Sequence, residues 1–155
     1  MTHMKKNILV VDDSALMRRV MCDIINSDSK FQATDYCRDG LEAYEKLKHT
    51  SYDGVVLDVN MPRMDGLQLL EKLQKEGIRA NVVMVSTLTD SREADVTILA
   101  MERGAIDFVA KPTNIIEAKG EAFKRQLLGV LNAVLATQKA AESVRSRHSA
   151  HPKDQ

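Results

Sequence analysis

Apolar residues in this chain fall into five short runs separated by stretches of helical spacing. The runs are ILVV at 8–11, FQATDYC at 31–37, GVVLD at 54–58, NVVMVS at 81–86 and IDFVA at 106–110. Three of them are continuous and rich in Val and Ile, as expected of parallel strands buried on both faces. The second alternates and is more polar, which suits a strand nearer a sheet edge. Between the runs, apolar positions recur every three or four residues. Leu16, Met17, Val20, Ile24 and Ile25 predict a helix over 14–27, with Ser14 or Asp13 as its N-cap. Leu41, Tyr44 and Leu47 predict one over 40–49, and Leu67, Leu69, Leu70 and Leu73 one over 66–76, stopped by Gly77. Ala94, Val96, Ile98, Leu99 and Met101 mark 91–103, stopped by Gly104. Ile115, Ile116, Phe123, Leu127, Leu128, Val130, Leu131, Val134 and Leu135 mark about 115 to 138, a stretch that Gly120 can break in two.

The predicted order is βαβαβαβαβα. Strands alternating with helices of this length mean an α/β fold, a doubly wound parallel sheet with helices on both faces and right-handed crossovers. Five strands favour the flavodoxin-like order 2-1-3-4-5, which reverses between the first and third strands. Ligands of open α/β sheets bind at such a reversal, beyond the carboxyl ends of the strands.

Composition narrows the picture further. The chain has 155 residues, enough for one domain over 1–136 and a tail over 137–155. At 44% apolar with no tryptophan, its core must be built from Val, Leu, Ile, Met and Ala. The formal net charge of +0 gives no reason to expect this domain to bind nucleic acid or an anionic membrane. Cys22 and Cys37 lack metal or CxxC spacing, so two small buried thiols in a reducing cytoplasm are expected. No apolar run reaches the roughly 18–20 residues of a membrane span, and no secretory signal is expected at the N-terminus. The tail TQKAAESVRSRHSAHPKDQ has almost no bulky apolar residue and leans basic, so a frayed helix end and a linker or disordered tail are expected there.

Charged residues close the strands. Asp12 and Asp13 end the first run, Asp58 the third and Lys111 the fifth, while Ser86 and Thr87 end the fourth. The expected topology gathers them at one spot. Mg²⁺ takes oxygen ligands and keeps several waters, so two carboxylates and a carbonyl suffice from the protein. Asp13 and Asp58 are candidate direct ligands, Asp12 can ligate through water or hold one in place, and the carbonyl of Asn60 is a candidate third oxygen. A carboxylate can also attack phosphorus to give an aspartyl phosphate. Phosphoryl transfer then needs little beyond positioning and charge neutralisation. The Lys111 ammonium and a hydroxyl from Ser86 or Thr87 are placed to supply it.

These residues lie in strings that resemble the receiver domain of bacterial two-component response regulators: ILVVDDS (8–14), VVLDVNMPRMDG (55–66), VVMVST (82–87) and GAIDFVAKP (104–112). The resemblance spans roughly 7–136. It implies that Asp58 is the phosphoacceptor of a partner histidine kinase and that Asp12, Asp13 and the Asn60 carbonyl hold Mg²⁺ with it. It further implies that Lys111 contacts the phosphoryl oxygens, that Ser86 is the switch hydroxyl and that Phe108 is the aromatic switch. In that cycle Ser86 moves inward on phosphorylation, Phe108 rotates into the vacated space, and the face of the fourth helix, fifth strand and last helix changes.

VMVSTLTD (83–90) and AMERGAIDFVAKP (100–112), with DDSALMRR (12–19), are most similar to the regulatory half of the chemotaxis protein-glutamate methylesterases. Thr87, Ala110 and Asn60 depart from that pattern, where serine, proline or threonine, and glutamate are common. The resemblance implies a chemotaxis kinase, a C-terminal effector domain and, through a parent enzyme, chemoreceptors as partners. Residues 113–155 hold no esterase nucleophile motif, so the chain alone reads as a regulatory domain that phosphorylates itself from a donor. A stand-alone receiver, or the receiver of a DNA-binding regulator, is the alternative. A haloacid dehalogenase-type phosphohydrolase would need a second aspartate where DVNMP stands, and nucleotide-binding glycine loops are absent.

Overall fold

The computed structural model describes the backbone of residues 5–87 and 93–147, with side chains for 5–87 and 95–135. The elements run β1 (Lys6–Val11), α1 (Ala15–Asn26), β2 (Phe31–Cys37), α2 (Gly40–His49), β3 (Gly54–Asp58), α3 (Gly66–Lys75), β4 (Val82–Ser86), α4 (Glu93–Glu102), β5 (Ala105–Ala110), α5 (Ile115–Ala118) and α6 (Glu121–Arg147). All strand pairs are parallel, in the order β2-β1-β3-β4-β5. This is the expected order, with the reversal between β1 and β3.

The period of two along each strand divides the core into two layers. Ile8, Val10, Val56, Val83, Val85 and Val109 point to one face, where α1, α5 and α6 cover them. Leu9, Val11, Val55, Leu57, Val82 and Met84 point to the other, under α2, α3 and α4. Every residue of β3 and β4 is buried, whereas β2, at the edge, alternates between buried and exposed positions. Fully burying a Val or Leu contributes about 1.5–3 kcal/mol, so the central strands anchor the sheet.

Helix ends follow local chemistry. Ser14 settles the choice left open for α1: its Oγ accepts from the Met17 amide at 3.2 Å. At α3, Gly77 takes φ 68°, and the Ile78 amide donates to Leu73 while the Gly77 amide donates to Gln74. This is the left-handed glycine ending that satisfies the last carbonyls of a helix. The last helical stretch does break before Gly120, giving α5 and α6. Phe123, Leu127, Leu131, Val134 and Leu135 form the buried stripe of α6. The helix continues to Arg147, past the expected domain boundary at 136, through Ala-, Lys- and Glu-containing sequence with good helix propensity. The remainder of the expected tail, 148–155, lies outside the described residues.

Both edge strands carry a bulge, at Thr34 in β2 and at Ile106 in β5, where the register skips a residue. An aspartate follows each bulge and accepts from the next amide: Asp35 from Tyr36 at 2.9 Å and Asp107 from Phe108 at 2.7 Å. Bulges and charges of this kind blunt an edge against pairing with another chain.

Two Asp-Gly pairs open α2 and α3. Asp39 and Asp65 are the N-caps, and each following glycine lies against the loop after β3. A Cβ on Gly66 would land on the carbonyl oxygen of Asp58, and one on Gly40 on that of Met64. Both obstacles are backbone, so neither can swing aside. Gly66→Ala is therefore expected to cost about 1–3 kcal/mol through forced backbone shifts. Urea unfolding of the variant checks this, with a lowered midpoint and an unchanged slope as the expected result.

Candidate functional site

The reversal in strand order puts the carboxyl ends of β1 and β3 side by side, and β4 and β5 continue the row. Asp12 and Asp13 leave β1, Asp58 is the last residue of β3, Ser86 the last of β4, and Lys111 follows β5. Lys111 is held in line because its amide donates to the Ser86 carbonyl at 2.8 Å. Its side chain reaches across β4 to the acids. Nζ lies 2.9 Å from Asp12 Oδ2 and 3.2 Å from Asp58 Oδ1.

These charges are buried. Asp12 is 0% exposed, Asp58 2% and the Lys111 side chain 12%. Asp13 is exposed. Carboxylate oxygens of Asp12, Asp13 and Asp58 all lie within 4.8 Å of one another. Asp12 is fixed at three further points. Its Oδ1 accepts from the Ser14 amide at 2.8 Å, its carbonyl from Arg18 Nη1 at 2.8 Å, and its amide donates to Cys37. Arg18 in turn stacks over the Tyr36 ring at 5.3 Å.

One ammonium does not neutralise three carboxylates. Burial is the main cause that pushes the Asp58 pKa up to about 7, Asp12 and Asp13 add repulsion, and Lys111 works against both. For Lys111, burial opposes the charge, but Asp58 and Asp12 outweigh it and hold the pKa above the usual lysine value. An all-oxygen, under-neutralised cluster is the donor set a hard divalent cation such as Mg²⁺ takes. The residues therefore fit such an ion, which Asp12, Asp13 and Asp58 would hold.

The other candidate residues surround this centre. Ser86 is 4% exposed, and its Oγ makes a long 3.4 Å contact to the Thr87 carbonyl. Thr87 is half-buried, and Asn60 is exposed on the loop that leaves Asp58. Phe108 is half-buried against the layer shared with α2, α3 and α4. Reading the sequence alone misses the scaffold of the loop after β3. Arg63 adopts φ 66° and pairs with Asp39, and the Gly40 amide donates to the Met64 carbonyl at 2.9 Å. The signal for this scaffold is the repeated Asp-Gly pair at two helix starts. Nothing in the sequence marks Arg63 as left-handed.

The comparisons with known proteins agree with this fold. The family model described as "Response regulator receiver domain" matches residues 8–120. The chain is 45% identical over 124 residues to a protein-glutamate methylesterase/protein-glutamine glutaminase of Pyrococcus horikoshii, covering 80% of this chain and 33% of that one. It thus spans about a third of the length of that relative. The crystal structure of the response regulator domain of Thermotoga maritima CheB superposes with a TM-score of 0.71 at 35% identity, covering 84% of this chain and 94% of that one. CheY in the CheX–CheY–BeF3–Mg complex of Borrelia burgdorferi is similar as well, at 30% identity and TM-score 0.62, covering 76% of this chain and 89% of that one.

The charge imbalance predicts a pH-dependent stability. A carboxyl whose pKa is raised in the fold supports folding while it is protonated. That support is complete below the unfolded value near 3.9 and is lost as pH rises through about 7. Asp58→Asn should therefore stabilise the chelator-treated protein above pH 7, by on the order of 1–3 kcal/mol. The gain should vanish towards pH 4. Thermal melts of both proteins across this range measure the difference, and a gain that grows on acidification would contradict the assignment.

Proposed function

The chain belongs to the response regulator receiver family, and from that membership we propose that it is a phosphoacceptor switch, phosphorylated on Asp58 by a histidine kinase. The observation that carries this reading is the Lys111 ammonium between the buried Asp12 and Asp58 carboxylates, with the exposed Asp13 beside them.

The chemistry follows from the residues. An Asp58 oxygen forms the new bond to phosphorus, while the bond from phosphorus to the donor's imidazole nitrogen breaks and its electron pair leaves with that nitrogen. Asp58 must be ionised to attack, and Lys111 favours that form. Asp12, Asp13, Asp58 and the Asn60 carbonyl would hold Mg²⁺, which when bound would supply charge neutralisation at the phosphoryl oxygens. Lys111 neutralises another oxygen as a point charge. Ser86 exchanges its long contact with the Thr87 carbonyl for a charged phosphoryl acceptor, and Thr87 lies next to it as a further hydroxyl. The space Ser86 leaves lets Phe108 turn inward. The result is a population shift between two packings, driven by the stronger interaction of the phosphoryl group with one of them.

The readout face is α4, β5 and α6, together with the short α5. Ile98 and Met101 on α4 are 57% and 43% exposed, and Ile116 on α5 is 80% exposed. The likeness to protein-glutamate methylesterases supports a chemotaxis kinase as donor and a methylesterase/glutaminase domain as the controlled output, acting on chemoreceptors. It also supports a cytoplasmic setting. Among the described residues no helix is long and apolar enough to cross a membrane.

With acetyl phosphate and Mg²⁺, intact-mass spectrometry should show one phosphoryl adduct. Asp58→Asn should lose it, and stoichiometric labelling of that variant would overturn the reading. Lys111→Ala should keep the fold and accept phosphate. Its amide resonances along α4, β5 and α6 should then stay in place on phosphorylation, whereas those of the wild type should move. A wild-type-like response in the variant would remove Lys111 from the switch.

A further inference from the structure

The loop between Asp58 and α3 is tied to the first turn of α2. The Asp39 carboxylate, 4% exposed, uses Oδ1 to cap α2 through the Glu42 amide at 2.9 Å. Its Oδ2 accepts from Arg63 Nε at 2.9 Å and Nη2 at 2.7 Å. One residue later in each segment, the Gly40 amide donates to the Met64 carbonyl at 2.9 Å. The Met64 amide reaches back to the Pro62 carbonyl at 2.7 Å, closing a tight turn around Arg63 at φ 66°. The loop also closes on itself, with the Gly66 amide donating to the Val59 carbonyl at 2.8 Å.

An arginine is a poor choice for a left-handed position, where glycine meets no steric penalty. The pair with Asp39 offsets this. It also spares a buried carboxylate the cost of having no partner. What the pair holds is the segment 59–62, which lies directly after Asp58 and contains Asn60. Val59 and Met61 are buried, so this segment is anchored from below by packing and from the side by Arg63.

We propose that the Asp39–Arg63 ion pair is a positioning element of the acidic site, holding the loop after Asp58 so that the Asn60 carbonyl can complete the oxygen shell of a divalent cation. The inference rests on the phosphoacceptor reading above. Neither Asp39 nor Arg63 touches the reacting groups. They act through the loop, as outer partners do when they orient the ligands of a metal.

The test is Mg²⁺ affinity, read by NMR titration of the unphosphorylated chain, with phosphoryl labelling measured alongside. Asp39→Asn keeps a capping side chain on α2 but loses the charge pair, since Asn caps as well as Asp. Arg63→Gly accepts the left-handed turn without strain and also loses the pair. Both should weaken Mg²⁺ binding by about tenfold. The double variant should be no worse than either single one, and Arg63→Lys should fall between. Arg63→Gly should still fold, with a metal-free urea midpoint lowered by the loss of Asp39's charge partner and partly recovered by relief at the left-handed turn. If Asp39→Asn fails to fold, Arg63→Gly carries the test alone. Wild-type Mg²⁺ affinity in Arg63→Gly would overturn the proposal and reduce the pair to a brace. Loss of Mg²⁺ binding and of Asp58 labelling in the wild type itself would overturn the phosphoacceptor reading, and this inference with it. Intact wild-type binding and labelling with unaffected variants would strike this inference alone.

Discussion

One buried ammonium faces more negative charge than it can balance, and the site is organised around that deficit. Lys111 lies within 3.2 Å of both Asp12 and Asp58. Taking a carboxylate out of water is expensive unless it is paired, and Asp58 answers by holding its proton to about pH 7. A divalent cation or a phosphoryl group bound with its cation changes that balance. The site is therefore set to respond to charge. A fully neutralised cluster would hold the same shape and have nothing to respond to.

The sheet makes this arrangement possible. Its two-layered core buries β3 and β4 completely, which keeps the strand ends carrying Asp58 and Ser86 in fixed register. Side chains and amides then pin the loops from outside: Ser14 and Arg18 on the acidic pair, Asp39 and Gly40 on the loop after Asp58. Two close approaches, Gly40 to Met64 and Gly66 to Asp58, leave no room for a Cβ. The rigid parts therefore lie around the acids, while the half-buried Thr87 and Phe108 lie on the side from which a change can spread.

That spread has a direction. Phe108 belongs to the core layer beneath α4, and β5 carries both Phe108 and the approach to Lys111. The proposed switch would reach that layer through adjacent strand ends. The exposed Ile98 and Met101 of α4 give the same side of the molecule apolar surface to offer.

Much of this was legible along the chain. The run-and-stripe pattern determined the five strands and their helices, and five strands in that alternation favoured the order 2-1-3-4-5. Because strand ends follow from where apolar runs stop, it also placed Asp12, Asp13, Asp58, Ser86 and Lys111 at one edge. Periodicity is a local property, so local sequence carries it. The choice of Ser14 over Asp13 as cap, the continuation of α6 to Arg147 and the left-handed Arg63 paired with Asp39 were not legible. Cap geometry and a positive φ at a non-glycine depend on partners distant in sequence, and only the folded chain brings those partners together. The raised pKa of Asp58 has the same origin, because burial and the spacing of three carboxylates around one ammonium arise only when the strands assemble.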